Sequence, residues 1–192
     1  MKYFFALSIF ILLAPNTSVA QKPAFLEANP RWVDSVFTTL SGDEKIAQLL
    51  MVAVTSDVKR SLIGNDKASP DAVEKLVRDH KIGGVVFFQG GPVPQAALTN
   101  RLQAGSKVPL LVAMDAEFGL AMRIDSTVRY PYMMTLGAME GSNELIYKMG
   151  KEVAQQARRL GVHINFAPVA DVNNNPSNPV INFRSFGENK YK

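Results

Sequence analysis

The chain has 192 residues, of which 47% are hydrophobic and 20% charged, and its net charge is +4. This composition is typical of a packed globular protein and too apolar for an intrinsically disordered one. The chain contains no cysteine, which excludes disulfide frameworks, cysteine-ligated metals and a thiol nucleophile. Its positive charges form no run or stripe, so the sequence gives no indication of nucleic-acid binding.

The first twenty residues have the features of a secretory signal peptide. Lys2 precedes an apolar segment over residues 4–14, and small residues lead up to Ala20. This segment of about eleven residues is well short of the roughly 20 that span a bilayer, which favours a cleaved signal over a membrane anchor. We therefore expect cleavage after Ala20, no membrane anchor in the mature chain, and export to the periplasm or the extracellular space.

Residues 21–42 form a lead-in segment in which apolar side chains recur at helical spacing from Trp32 to Leu40. Ser41 stands before two acidic residues as a helix N-cap and predicts a second short helix through Leu49. Beyond it, apolar strands alternate with amphipathic helices. We predict strands over residues 50–54, 82–88, 108–114 and 162–166, helices over 71–80, 93–105 and 143–161, and irregular structure over 55–70, 115–138 and 167–182.

Apolar strands separated by helices indicate an α/β fold with a parallel sheet covered on both faces. An open doubly wound sheet and a (β/α)8 TIM barrel both fit. The doubly wound fold lacks a nucleotide fingerprint, because Gly83 and Gly84 begin a strand and Pro92 follows Gly91. Polar residues instead follow the strands, where barrel enzymes carry their active sites. Since a barrel needs eight strands, we expect residues 43–192 to form roughly the first four βα units of an incomplete barrel domain.

Two acidic residues follow the third predicted strand. In an extended chain, Asp115 and Glu117 leave the same face about 6.6 Å apart. Glycoside hydrolysis uses two carboxyl groups separated by roughly 5 to 9.5 Å, so the pair is a candidate for that chemistry. The alternative is that an aspartate at a strand end binds backbone amides or a nearby arginine. The local sequence leaves both interpretations open.

Three further polar residues stand out, and none of them predicts a metal site. His80 ends an amphipathic helix and His163 lies in a predicted buried strand, so we interpret both as structural. Arg184 follows a loop rich in Asn and Pro and stands among apolar and aromatic residues. Such an arginine faces either a carboxylate or the oxygens of a ligand.

Several segments together resemble the N-terminal barrel domain of glycoside hydrolase family 3, most closely its bacterial β-N-acetylhexosaminidase branch. Each segment is weak alone, but their order and spacing are specific. The segments are residues 45–51, residues 82–88, Met114-Asp115-Ala116-Glu117-Phe118-Gly119, residues 165–172 and Arg184-Ser185-Phe186-Gly187-Glu188.

The resemblance implies a retaining glycosidase that removes terminal β-linked N-acetylglucosamine, for example from cell-wall fragments, without metal or organic cofactor. Asp115 matches the family's sugar-binding aspartate, Arg184 matches an arginine of the same subsite, and Arg123 matches a nearby arginine. Glu117 and Asp171 then become supporting residues.

The resemblance places the nucleophile and the acid/base on later strands, beyond Lys192. No catalytic residue is therefore assigned within the chain, which we expect to be inactive without the C-terminal half of the barrel. A carbohydrate is the expected partner. The alternatives are a β-glucosidase or β-xylosidase of the same family and a non-catalytic, sugar-binding half-barrel.

Overall fold

The computed structural model describes residues 30–57, 68–141 and 143–191, so the predicted signal peptide lies outside the described residues. One parallel sheet has the order β1-β2-β3-β4. Its strands are β1 Met51–Val54, β2 Gly84–Phe87, β3 Leu111–Met114 and β4 Ile164–Asn165. The predicted α/β fold with parallel strands is confirmed.

Six α-helices accompany the described strands: α1 Pro30–Thr39, α2 Gly42–Ala47, α3 Pro70–His80, α4 Pro92–Gly105, α5 Met133–Ala138 and α6 Asn143–Arg159. The three longest, α3, α4 and α6, each lie between consecutive strands. Ser41 caps α2, as its sequence predicts, and Glu44 completes the capping box. Within the described ranges, no helix is long and apolar enough to cross a bilayer.

The core lies between the sheet and these three helices. Val85, Phe87 and Met114 are almost fully buried, and the register of β2 and β3 places them on one face of the sheet. They pack with side chains of α3, α4 and α6, and each buried residue of this size contributes about 1.5–3 kcal/mol. The opposite sheet face is more open, since Leu111 is 50% exposed. In the described chain, only one sheet face is therefore fully covered.

The acidic side chain of Glu44 fastens α2 to the segment that precedes β3. Its carboxylate accepts hydrogen bonds from the Ser41 N–H at 2.9 Å and from Lys107 Nζ at 3.0 Å. These bonds hold the pKa of the Glu44 carboxyl below its usual value, with the Ser41 N–H as the larger cause. Lys107 also donates to the carbonyl oxygen of Thr39, at the end of α1.

The prediction of irregular structure over residues 115–138 is wrong in two places. A 3₁₀ turn occupies Leu120–Met122, and α5 occupies Met133–Ala138. Helix α5 packs closely against the end of the chain, because a Cβ on Gly137 would lie 1.7 Å from the carbonyl oxygen of Phe186. Such a short helix is stabilised by tertiary packing that its own six residues do not encode.

The interpretation of His163 as a buried strand residue is also wrong. His163 is exposed and precedes β4, which is shorter than predicted. Its ring is nevertheless hydrogen-bonded, since Nδ1 accepts the N–H of Val112 at 3.0 Å.

We predict that the 192-residue chain by itself self-associates. Among the described residues, β1 and β4 each pair on one side only, and unpaired edges beside an open apolar face promote association. Sedimentation of the isolated chain should show dimers or larger species. Leu111→Lys should shift the distribution toward monomer, whereas Leu145→Lys, at a similarly exposed leucine on α6, should not. A monomeric wild-type chain that melts cooperatively would contradict the prediction.

Candidate functional site

The site lies where β3 and β4 end. Because the strands are parallel, their carboxyl ends meet at one edge of the sheet. The segments that follow β3 and β4 carry the candidate residues Asp115, Glu117, Arg123 and Arg184. The structure brings these four side chains together as two ion pairs.

Asp115 and Arg123 form the more accessible pair. Arg123 Nη2 donates to Asp115 Oδ2 at 2.9 Å, and the side chains are 13% and 28% exposed for Arg123 and Asp115 respectively. The guanidinium carbon of Arg123 lies 4.8 Å from the centre of the Phe88 ring, next to the end of β2. The arginine is thus held from two sides, and the aspartate keeps an exposed carboxylate.

The backbone around Arg123 is fixed by the loop that follows β2. Ile124 is fully buried and forms an isolated parallel bridge with Gly90, and the N–H of Asp125 donates to the Gly90 carbonyl at 2.8 Å. Gly90 has a φ of 146°, and a Cβ there would lie 1.7 Å from Ser56 Oγ. A side chain at position 90 would be strained by this φ and would meet Ser56, so a glycine is needed there. The glycine allows the loop after β2 to approach the loop after β1.

Glu117 and Arg184 form the second pair, in which the carboxylate is the buried member. Arg184 Nη2 donates to Glu117 Oε1 at 2.7 Å and Nε donates to Oε2 at 2.9 Å, which is a bidentate arrangement. The Glu117 side chain is 4% exposed and that of Arg184 is 31% exposed. Of the two partners that the sequence allows for Arg184, the structure shows a carboxylate.

The charges around Arg184 stabilise its protonated form. Hydrogen bonds to Glu117 raise the pKa of the Arg184 guanidinium, and the negative charges of Asp115 and Asp171 act in the same direction. Arg184 is therefore hydrogen-bonded to one carboxylate and lies within the electrostatic range of two others.

Asp171 contributes to the loop through its backbone. Ser185 is buried, and its Oγ lies 2.7 Å from the carbonyl oxygen of Asp171 and accepts the Gly187 N–H at 3.2 Å. The N–H of Asn173 donates to the Gly187 carbonyl at 2.9 Å. These bonds close the loop that carries Arg184, and the part of Asp171 that takes part in them is its backbone carbonyl.

Asn165 is a site residue that the sequence reasoning missed. Its Oδ1 accepts the Ala116 N–H at 2.9 Å, and its Nδ2 donates to the Ala116 carbonyl at 3.4 Å. The sequence feature that could have indicated this role is a polar side chain within the strand predicted over residues 162–166. Within the described residues there is no cluster of three side chains suited to a metal ion.

The chain matches the sequence profile of the glycosyl hydrolase family 3 N-terminal domain over residues 41–192. It therefore belongs to glycosyl hydrolase family 3, and the resemblance seen in the sequence is confirmed. Structural likeness to solved members of the family also confirms the barrel-type fold. The described residues supply four of its strands, and the first three are each followed by one of the long helices α3, α4 and α6.

Similar proteins include two characterised bacterial relatives. Beta-hexosaminidase A of Pseudoalteromonas piscicida is 36% identical over 132 residues, which cover 62% of this chain and 22% of the relative. A beta-N-acetylglucosaminidase/beta-glucosidase of Cellulomonas fimi is 29% identical over 157 residues, which cover 81% of this chain and 26% of the relative.

One solved structure is similar in both sequence and fold. The family 3 beta-N-acetylglucosaminidase from Paenibacillus sp. str. FPU-7 is 30% identical, with a TM-score of 0.62 over 79% of this chain and 28% of that one. This chain thus spans about a quarter of the length of each of these three proteins.

We predict that Glu117→Gln destabilises the domain by about 1–3 kcal/mol, because it removes the charged partner of a partly buried arginine. Urea unfolding of the full-length gene product that contains this chain would measure the loss. The control is Glu144→Gln, which breaks an exposed pair with Lys148 and should cost less than about 0.5 kcal/mol. Equal losses in the two variants would contradict the structural importance of the pair between Glu117 and Arg184.

Proposed function

We propose that the full-length protein containing this chain is a retaining exo-glycosidase that hydrolyses terminal β-linked N-acetylglucosamine, as found in cell-wall fragments. The observation that carries the proposal is the accessible Asp115 carboxylate, held by Arg123 at the end of β3 in a chain of family 3. Similarity to a hexosaminidase and to N-acetylglucosaminidases supports this choice of sugar.

In this proposal, Asp115 accepts hydrogen bonds from sugar hydroxyl groups. Its carboxylate is partly exposed, and the bond from Arg123 fixes its orientation. Hydrogen bonds to a charged acceptor are stronger than those between neutral groups. If they strengthen as the sugar ring distorts, they lower the barrier to hydrolysis.

Glu117 has a different role in the proposal, although it is also a carboxylate. It is almost fully buried, and its two oxygens already bind Arg184. A catalytic carboxyl group must reach the glycosidic bond or the attacking water. We therefore assign Glu117 to holding Arg184 beside the sugar, and we place the nucleophile and the acid/base outside this chain.

An assay with two aryl glycosides tests the proposed function. The full-length gene product should hydrolyse an aryl β-N-acetylglucosaminide with a higher kcat/KM than the matching aryl β-glucoside. A preference for the glucoside would instead identify a β-glucosidase, an activity named for the Cellulomonas relative. A product that binds sugar but hydrolyses neither substrate would favour a non-catalytic module.

We predict that Asp115→Ala in the full-length gene product lowers kcat/KM on the aryl N-acetylglucosaminide by about 100-fold. The lost contact would then be worth roughly 3 kcal/mol in the transition state. Initial rates measure the effect. Asp79→Ala, at an exposed residue near the end of α3, is the control and should leave the rate unchanged. Full turnover by the Asp115 variant would refute its assignment.

We also propose that the protein is exported, on the strength of the charged, apolar and small-residue pattern of residues 1–20. The mature protein should be recovered from the periplasm or the medium with Gln21 as its first residue. N-terminal sequencing of the fractionated protein checks this expectation. An uncleaved protein found in the cytoplasm would overturn it.

A further inference from the structure

β4 contacts β3 through side chains as well as through its backbone. His163 Nδ1 accepts the Val112 N–H, and Asn165 bonds to both polar groups of Ala116. The two residues are two positions apart, so in extended chain their side chains leave the same face. Since the regular part of β4 is only two residues long, these side chains continue the pairing where the backbone ladder ends.

Asn165 bonds to the backbone between the two carboxylates of the site. β3 ends at Met114, so Ala116 is outside the strand, between the two carboxylates of the site. Its N–H belongs to the peptide group shared with Asp115, and its carbonyl belongs to the peptide group shared with Glu117. Because peptide groups are planar, fixing these two atoms fixes the orientation of both planes.

Ala116 is 3% exposed, and a buried N–H that loses its partner carries the full cost of desolvation. The Ala116 N–H depends on Asn165, whereas the Ala116 carbonyl also accepts the Gly119 N–H at 3.2 Å. Without Asn165, the backbone at residues 115–117 is expected to shift toward water. Glu117 is held through both of its oxygens by Arg184, whereas Asp115 is held by one hydrogen bond from Arg123, so the shift falls mainly on Asp115.

We propose that Asn165 is a positioning residue for Asp115, acting mainly through the peptide group that joins Asp115 to Ala116, whose N–H it accepts. This inference rests on the proposed function, in which Asp115 binds the sugar. It adds a residue on the neighbouring strand that touches no substrate and yet sets the direction of the sugar-binding carboxylate.

A pair of matched variants of the full-length gene product tests the proposal. Asn165→Ala and His163→Ala each remove side-chain hydrogen bonds between β4 and β3, the first beside Asp115 and the second near the start of β3. Both should lower the unfolding temperature. Only Asn165→Ala should reduce kcat/KM on the aryl N-acetylglucosaminide, by about 10- to 100-fold, because small displacements of positioning groups have effects of this size. Equal losses of activity in the two variants would overturn the proposal.

A double-mutant comparison separates positioning from general destabilisation. If Asn165 acts through Asp115, Asn165→Ala should change the rate less than about twofold when Asp115 is already alanine. A full additional loss in that background would overturn the proposal.

Asn165→Asp keeps an acceptor for the Ala116 N–H and should recover part of the activity. It also serves as the test variant where Asn165→Ala does not fold, and an activity equal to wild-type would then contradict a role for the bond from Nδ2.

Hydrogen exchange provides a readout that does not depend on activity. The Ala116 amide should exchange at least about tenfold faster in Asn165→Ala than in wild-type, and it should be unchanged in His163→Ala. Unchanged exchange at Ala116 in the Asn165 variant would overturn the proposal. Faster exchange in a protein that hydrolyses neither glycoside would refute the proposed function and leave the positioning of the 115–117 backbone standing.

Discussion

The ion pair between Glu117 and Arg184 is the interaction on which the site depends. It joins the loop after β3 to the loop after β4, across 67 residues of sequence. A carboxylate this deeply buried is stable as an anion only with a bonded cation. Both of its oxygens are occupied by a single guanidinium, so each loop fixes the position of the other. The remaining groups of the site are arranged around this connection.

Two carboxylates two residues apart have thereby acquired different environments. Glu117 is buried and both of its oxygens are hydrogen-bonded to Arg184, whereas Asp115 is partly exposed beside Arg123. Environment rather than residue type separates roles in such pairs. The sequence spacing alone made both residues candidates for one catalytic pair, and it is their unequal burial that favours a binding role for one and a supporting role for the other.

The parts of the fold that were predictable are those encoded locally. Apolar runs identified the strands, and apolar positions at helical spacing identified α3 and α6, because each element buries a face of its own. Helix α4 buries two leucines together with Gln95 and Thr99, so its apolar pattern is weaker. Helix α5 was missed because its stability comes from packing against Phe186, about fifty residues later in the chain. The burial of His163 was wrongly predicted for a related reason. A short segment of mostly apolar residues does not reveal how many of them pair with the neighbouring strand.

The site was predictable as a set of residues but not as a set of contacts. The family motif identified Asp115, Arg123 and Arg184, yet it did not show which arginine binds which carboxylate. The two members of a pair are separated in sequence by 8 positions in one case and by 67 in the other. Their pairing depends on the path of two irregular loops. The role of Asn165 was not predicted because Asn165 bonds to the backbone of Ala116. Such bonds cannot be inferred from the spacing of charged residues.

The order of strands in the sheet is also their order in the chain. Each strand after the first therefore adds to the edge left by the strand before it, and no strand has to be inserted between two that already pair. Each pairing is parallel and needs a helical crossover, and pairings of this kind form slowly, but they can form in chain order while the protein is being synthesised. Of the four charged residues that make the two ion pairs, Arg184 is the last in the chain. The connection between the loop after β3 and the loop after β4 can therefore form only when the other three residues are already present.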